Sequence, residues 1–395
     1  MNVRALLALL LASALGCARG APPATATRES ASGQIIGSSR TAGTPAELSA
    51  RADVALAAGA WEEAIELLEA LRAAAKIDDK LTIGAPSILS RLAFAYEGAS
   101  RLDDAWATYA ELARLPSPEA RAAIPRRTFL AAYLGKDEEL AVLADAILGD
   151  PEVTDRGRLV GLGARSLAAA HAGRDMPAMR DAQDGLDLAE RLGVGLGGRL
   201  PLDVAMLYFA LAEVRRVRSE RITFDDKSPA EFLPAFTARC TGLLSAQSAY
   251  TDAIRSEDPR AAILAGVTLG DVYVRVHHDV LAVPPSKKAD TEAKRQIHDA
   301  MMRVRYRVLL EKGGDMMDRS LALGAKLHDR SPWMARARAS REVIAAAIAE
   351  EHERLKAYPF SEKEVEDALE ILRKQTLAKL AAEEERQRKS WPKPE

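Results

Sequence analysis

The sequence predicts an all-α protein of stacked antiparallel helix pairs that continues into longer helices. Three observations carry this. Hydrophobic residues make up 48% of the 395 positions but aromatics only 5%; Ala and Leu, both strong helix formers, dominate, and the β-branched and aromatic residues that favour strands are scarce. A turn residue followed by a small or aliphatic residue recurs through the first half, so that Ala64, Ala105, Leu140 and Ala178 stand 41, 35 and 38 residues apart. Helix-start signals precede long periodic segments in the second half, at Ser331-Pro332-Trp333 and Ser361-Glu362-Lys363-Glu364, the first with Pro at the opening helical position and the second a capping box.

The N-terminus reads as an address. A positive charge at Arg4 precedes a mostly apolar run over residues 5–15, the pattern of a secretory signal. That run is short of the about 20 residues a spanning helix needs. Ala14-Leu15-Gly16-Cys17 follows and resembles a bacterial lipobox. Gly16 fits the pattern; Ala14 stands where Leu is usual, and Leu15 where a smaller residue is commoner. The resemblance implies acylation of Cys17 and membrane anchoring through lipid, since several acyl chains hold where one is marginal. Ala18 in place of Asp then points to the outer membrane, facing the periplasm. Residues 1–17 thus form the signal and lipobox. Residues 18–44, rich in Ala, Gly, Ser, Thr and Pro, read as a flexible tether with a mean reach of about 30 Å.

Residues 45–200 carry the repeats. Gly59-Ala60-Trp61 separates two helical segments, with Ala64 small where the pair must close; Gly suits a helix end because it accepts the left-handed conformation. The pattern returns at Ser100, Leu102, Ala105 and Tyr109, at Gly135, Leu140 and Ala144, and at Gly173, Ala178 and Ala182. This arrangement resembles the tetratricopeptide-repeat family, whose period is about 34 residues. The second copy, with Tyr96, Ala105, Tyr109, Pro116 and Pro118, matches most fully, whereas Leu140 departs from the small residue in the third. The resemblance implies a right-handed solenoid in which the first helix of each pair lines a partner-binding groove. Its groove positions fall on Asp53 and Leu56, on Ser90, Phe94 and Glu97, on Phe129, and on Leu167 and His171. Phe94 and Phe129 read either as anchors for a partner peptide or as ordinary core.

Residues 201–357 are expected to form a long-helix continuation, with helices near 202–219, 233–255, 258–281, 289–326 and 332–357. Residues 358–395 are expected to form a charged C-terminal helix near 361–388 and its tail. Gly193 to Gly198 fits GxGxxG by spacing, but a helix-like segment precedes it and Pro201 follows, so it reads as a mobile interhelical loop and not as a dinucleotide site. Gly270-Asp271-Val272-Tyr273, Pro284-Pro285, Tyr306 with Leu310-Glu311, and Trp333 are similar to features of tetratricopeptide lipoproteins in myxobacterial envelope and gliding-motility machinery. That resemblance implies assembly or stabilisation of a multi-protein envelope complex.

No enzyme signature stands in the sequence. It contains no His-Glu-x-x-His, no Gly-x-Ser-x-Gly and no phosphate-cradling Gly-x-x-x-x-Gly-Lys-Ser/Thr. His277 and His278 are adjacent and project about 100° apart on a helix, which does not suit one metal. Cys240 lies in an apolar run and reads as a small buried hydrophobe. With 55 basic and 57 acidic residues, interspersed, the chain shows no basic stripe for nucleic acid. The expected protein is a non-enzymatic scaffold without cofactor or metal, holding envelope proteins or peptides. A ligand-binding or enzymatic second half, or a periplasmic spacer, are the alternatives.

Overall fold

The computed structural model describes residues 41–77, 84–195, 197–223, 229–285 and 289–390. The N-terminal segment with Cys17, and Leu196 of the glycine-rich loop, lie outside them. The described residues form helices joined by turns, with a single isolated parallel bridge between Leu200 and Ser256. The all-α expectation holds. In chain order the helices are α1 (Pro45–Ala58), α2 (Trp61–Ile77), α3 (Ala85–Gly98), α4 (Leu102–Leu112), α5 (Pro118–Ala122), α6 (Ile124–Tyr133), α7 (Asp137–Gly149), α8 (Asp155–His171), α9 (Asp175–Arg191), α10 (Leu202–Glu220), α11 (Pro229–Ile254), α12 (Pro259–Leu281), α13 (Glu292–Lys326), α14 (Pro332–Lys356) and α15 (Glu362–Ser390). The helices of the second half lie within a few residues of the spans read from periodicity.

The chain divides into two compact units. One comprises Met1–Gly266 with Ser320–Ala335; the other comprises Val267–Arg319 with Arg336–Glu395. In the first unit, helices adjacent in sequence pack on each other, and α8 also packs on α10. Four turns at the repeat spacing share one backbone geometry, which also occurs at Gly193 and His328. Gly59, Ser100, Gly135 and Gly173 are left-handed, at φ 69°, 59°, 68° and 77°. At each, the left-handed residue donates its N–H to the carbonyl three residues back, as Gly135 does to Ala132 at 3.2 Å. The next N–H reaches five back: Ala60 to Ala55, Arg101 to Tyr96, Lys136 to Ala131 and Arg174 to Ala169, all at 2.8–2.9 Å. This double bond satisfies the carbonyls that a helix end leaves open. Four residues later, Ala64, Ala105, Leu140 and Ala178 are completely buried. The spacing seen in the sequence is therefore a spacing of identical hairpins.

Local caps explain where the helices begin. Thr44 and Glu47 form a capping box on α1, with Thr44 N–H donating to Glu47 Oε2 at 2.8 Å and Glu47 N–H to Thr44 Oγ1 at 3.3 Å. Ser361 and Glu364 form the expected box on α15. α14 begins at Pro332, as expected, with Ser331 just before it; the Ser331 hydroxyl lies 3.1 Å from Tyr133 Oη. The glycine-rich loop between α9 and α10 is also anchored, since Leu200 N–H donates to Arg255 O and Glu257 N–H to Leu200 O, both at 2.9 Å.

Ser320–Ala335 joins the first unit through buried polar contacts. Tyr133 Oη donates to Asp329 Oδ2 at 2.8 Å, and Trp333 Nε1 donates to Tyr133 O at 2.6 Å. Arg260 donates to the Glu97 carbonyl at 2.7 Å and to Ser100 Oγ at 2.9 Å; Ser100 Oγ in turn donates to Leu327 O at 2.8 Å.

In the second unit, α12 and α13 touch backbone to backbone. A Cβ on Gly270 would lie 3.2 Å from Gly313 O, which is why the Gly-Asp-Val-Tyr segment opens with glycine. Asp271 accepts from Arg336 Nε at 2.6 Å and Ser340 Oγ at 2.8 Å, while Val272, Tyr273, Tyr306 and Leu310 are buried. His277 Nε2 and Glu351 Oε1, both buried, are 2.8 Å apart, and Arg307 bonds Glu351 and Glu362. Ala300, Leu355 and Val365 form a small apolar core with Tyr358 and Phe360 at its edge.

Candidate partner-binding face

The eight residues singled out from the sequence separate into three groups. Asp53 and Leu56 on α1, and Ser90 and Phe94 on α3, keep solvent exposure. Asp53 Oδ1 accepts from Arg91 Nη1 at 2.9 Å, and the same nitrogen donates to Ser49 Oγ, so α1 and α3 are tied side by side. Phe94 is 52% exposed, and its ring meets Trp61 edge-on at 5.7 Å. Trp61 in turn lies against Gly98, where a Cβ would sit 2.3 Å from the indole. An apolar ring left in water beside an inter-helix ion pair is the kind of anchor that partner surfaces use.

Glu97, Phe129 and Leu167 are interior. Phe129 and Leu167 are each 1% exposed and belong to the core of the helix pairs. Glu97, 2% exposed, accepts from Tyr109 Oη at 2.7 Å and from Arg126 Nε at 3.1 Å; Arg126 also pairs with Asp258. A buried carboxylate needs such partners, because desolvation of an unpaired charge costs several kcal/mol. Burial, followed by the Glu97 charge, pushes the Tyr109 hydroxyl well above its ordinary value. It therefore stays a neutral donor.

His171 forms a third arrangement. Its Nδ1 lies 2.8 Å from Asp137 Oδ1 and its Nε2 3.0 Å from Glu213 Oε2. Glu213 is buried and also takes Arg216 Nη2 at 2.6 Å and the Tyr250 hydroxyl. Burial disfavours the imidazolium, but the bonds to Asp137 and Glu213 outweigh it and raise His171 to about 9. Burial would likewise raise Glu213, yet His171 and Arg216 hold it below the usual carboxylate range. Burial and then Glu213 push Tyr250 far up. His171 charged, Glu213 ionised and Tyr250 neutral make a lock joining α7, α8, α10 and α11, not a proton-transfer pair poised near neutrality.

Sequence reading missed Val54, 69% exposed on α1, because its neighbours set the helix seam and it does not. It also missed the polar partners Arg126, Asp258 and Glu213, which periodicity cannot pair. Among the described residues, no group of three His, Cys, Asp or Glu side chains is arranged to hold a metal ion.

No family model matches the chain, and no curated protein matches it. Among solved structures, the chain is similar to a tetratricopeptide repeat protein from Parabacteroides merdae, at 13% identity and a TM-score of 0.39, over 76% of this chain and 98% of that one.

Proposed function

We propose that this chain is a non-enzymatic scaffold of the bacterial cell envelope, anchored by lipid at Cys17, whose helix pairs hold a protein partner during assembly or stabilisation of an envelope complex. The observation that carries the reading is the set of four identical hairpins at Gly59, Ser100, Gly135 and Gly173. Stacked pairs of this kind present first-helix side chains side by side. On α1 and α3 that row includes the exposed Phe94 and Asp53 and the half-buried Ser90 and Leu56. The lipobox-like Ala14-Leu15-Gly16-Cys17 supports an outer-membrane lipoprotein facing the periplasm. No helix among the described residues is long and apolar enough to cross a membrane, so on this reading attachment rests on the acylated cysteine.

Two measurements test it. Cys17→Ser should abolish metabolic labelling with a fatty-acid analogue and release the protein from the membrane fraction. In crosslinked cells, Phe94→Ala should lose an envelope partner that the native chain retains. Retention of both labelling and fractionation by Cys17→Ser would overturn the anchor; an unchanged partner set would overturn the face.

A second reading, a ligand-binding role for the second unit, has one observation in its favour: the buried His277, Glu351 and Arg307 group. Elemental analysis and a metabolite thermal-shift screen on the native chain would bring it forward if either gave a stoichiometric hit. A periplasmic spacer is distinguished by loss of function on shortening residues 18–44 while Phe94→Ala is silent.

A further inference from the structure

Several arginines in the first unit are held by carboxylates: Arg72 by Glu111, Arg91 by Asp53, Arg165 by Asp181. Arg127 on α6 is held differently. Its guanidinium lies over the ring of Trp106 on α4, at 5.5 Å from the centroid. Its Nε is buried and has no hydrogen-bond partner. Lys136, in the turn between α6 and α7, approaches the same indole at 5.7 Å. Arg114, just past α4, adds a third positive charge. Burial, and then repulsion from Arg114, lowers the pKa of Arg127. None of the three cations has a carboxylate within ion-pair distance among the described residues.

Such a cluster is costly as it stands. Partly buried like charges repel, and an unpaired guanidinium N–H forfeits its hydrogen bond. An anion placed at the rim would relieve the repulsion through the guanidinium's outer N–H groups. A guanidinium held over an aromatic ring keeps outer N–H groups that can bond a carboxylate. The indole offers the methylene stem of a glutamate an apolar surface, and Trp and Arg are both enriched where partners bind strongly. A nucleic-acid backbone would need a longer basic track than three residues in a chain of net charge −2.

We propose that Trp106, Arg114, Arg127 and Lys136 form a second contact patch that receives the carboxylates of an acidic segment of a partner protein. The patch is built from α4, α6 and the α6–α7 turn, whereas Asp53 and Phe94 lie on α1 and α3, so it stands or falls independently of the face proposed above.

The test is fluorescence anisotropy with the purified full-length chain and a labelled ten-residue glutamate-rich peptide. Single-stranded oligonucleotide and inorganic phosphate serve as competitors. Binding is expected to weaken with added salt. It should fall at least about ten-fold in Arg127→Gln, in line with loss of a charge-assisted bidentate contact. Trp106→Leu should weaken it as well. Arg127→Lys, which keeps the charge and loses the fork, should give an intermediate value and guards against a folding defect. Met176→Ala, at an exposed position on α9, should leave it unchanged. Equal binding by the native chain and a folded Arg127→Gln or Arg127→Lys, or no binding at all, would overturn the proposal. Stronger competition by oligonucleotide or phosphate than by unlabelled peptide would overturn it too, reassigning the patch to phosphate.

Discussion

Trp333 Nε1 donates to the main-chain carbonyl of Tyr133 at 2.6 Å, across 200 residues of sequence. The two rings are 6.3 Å apart, and the Tyr133 hydroxyl reaches on to Asp329. This is how Ser320–Ala335 becomes part of the first unit. Trp333→Phe keeps an aromatic ring but removes the donor and part of the indole, so it should cost at least about 1–2 kcal/mol. Amide exchange followed by mass spectrometry should show faster exchange within 320–335, with the α8–α9 hairpin unaffected. Uniform loss of protection would contradict a local latch.

Glu97 is the buried end of a wider network, and Glu97→Ala should be severe. It leaves Arg126 with Asp258 alone and strips Tyr109 of its acceptor, a loss of about 3–5 kcal/mol for breaking a buried pair from one side. Asp53→Ala, at an exposed pair, should cost less than about 1 kcal/mol. Chemical denaturation of the two variants checks the contrast.

Glycine matters at Gly98 for space. Gly98→Ala would place a Cβ 2.3 Å from the indole of Trp61, and a rigid ring cannot yield cheaply, so about 1–3 kcal/mol should be lost. At Gly149 on α7 a Cβ meets nothing within 4 Å. There Gly→Ala should stabilise by about 0.4–1 kcal/mol through the unfolded chain. Melting curves of the pair test whether contact, and not glycine content, decides.

The His171 lock carries a signed pH dependence. Its pKa is raised to about 9 from an ordinary 6.5, so its stabilisation is complete below about pH 6.5 and fades as pH rises through 9. Allowing for its partial exposure, about 1–2 kcal/mol is involved. Glu213 has the opposite sign: it is held down, so its stabilisation is present above the ordinary carboxylate range and is lost on acidification. Native stability should decline between pH 7 and 9.5. His171→Gln should flatten that decline while lowering stability at pH 7. An unchanged slope in the variant would refute the assignment.

The hairpins were legible because each makes two demands on composition. The turn needs a residue tolerant of positive φ, and the helix after it needs a side chain that fits a completely closed seam. Gly59, Gly135, Gly173 and Ala64, Ala105, Ala178 answer those demands. Ser100 takes the left-handed turn without being glycine, and its hydroxyl is engaged by Arg260 and Leu327, a reason that lies 160 and 227 residues away. Of the predicted face, Phe94 is on the surface and Phe129 is core, although both follow the same first-helix logic. The difference comes from what packs over each ring, which a single helix's periodicity does not encode. The pairing of Glu97 with Arg126 and of His171 with Glu213 left no local trace for the same reason.

The most direct test of the scaffold reading is a photo-crosslinking amino acid placed at Phe94 in living cells, with Val142 and Met176, 70% and 72% exposed, as control positions. The account predicts a reproducible adduct with an envelope protein from position 94 and none from the controls. No adduct at 94, or the same adducts from all three positions, would contradict a partner-binding face on α1 and α3.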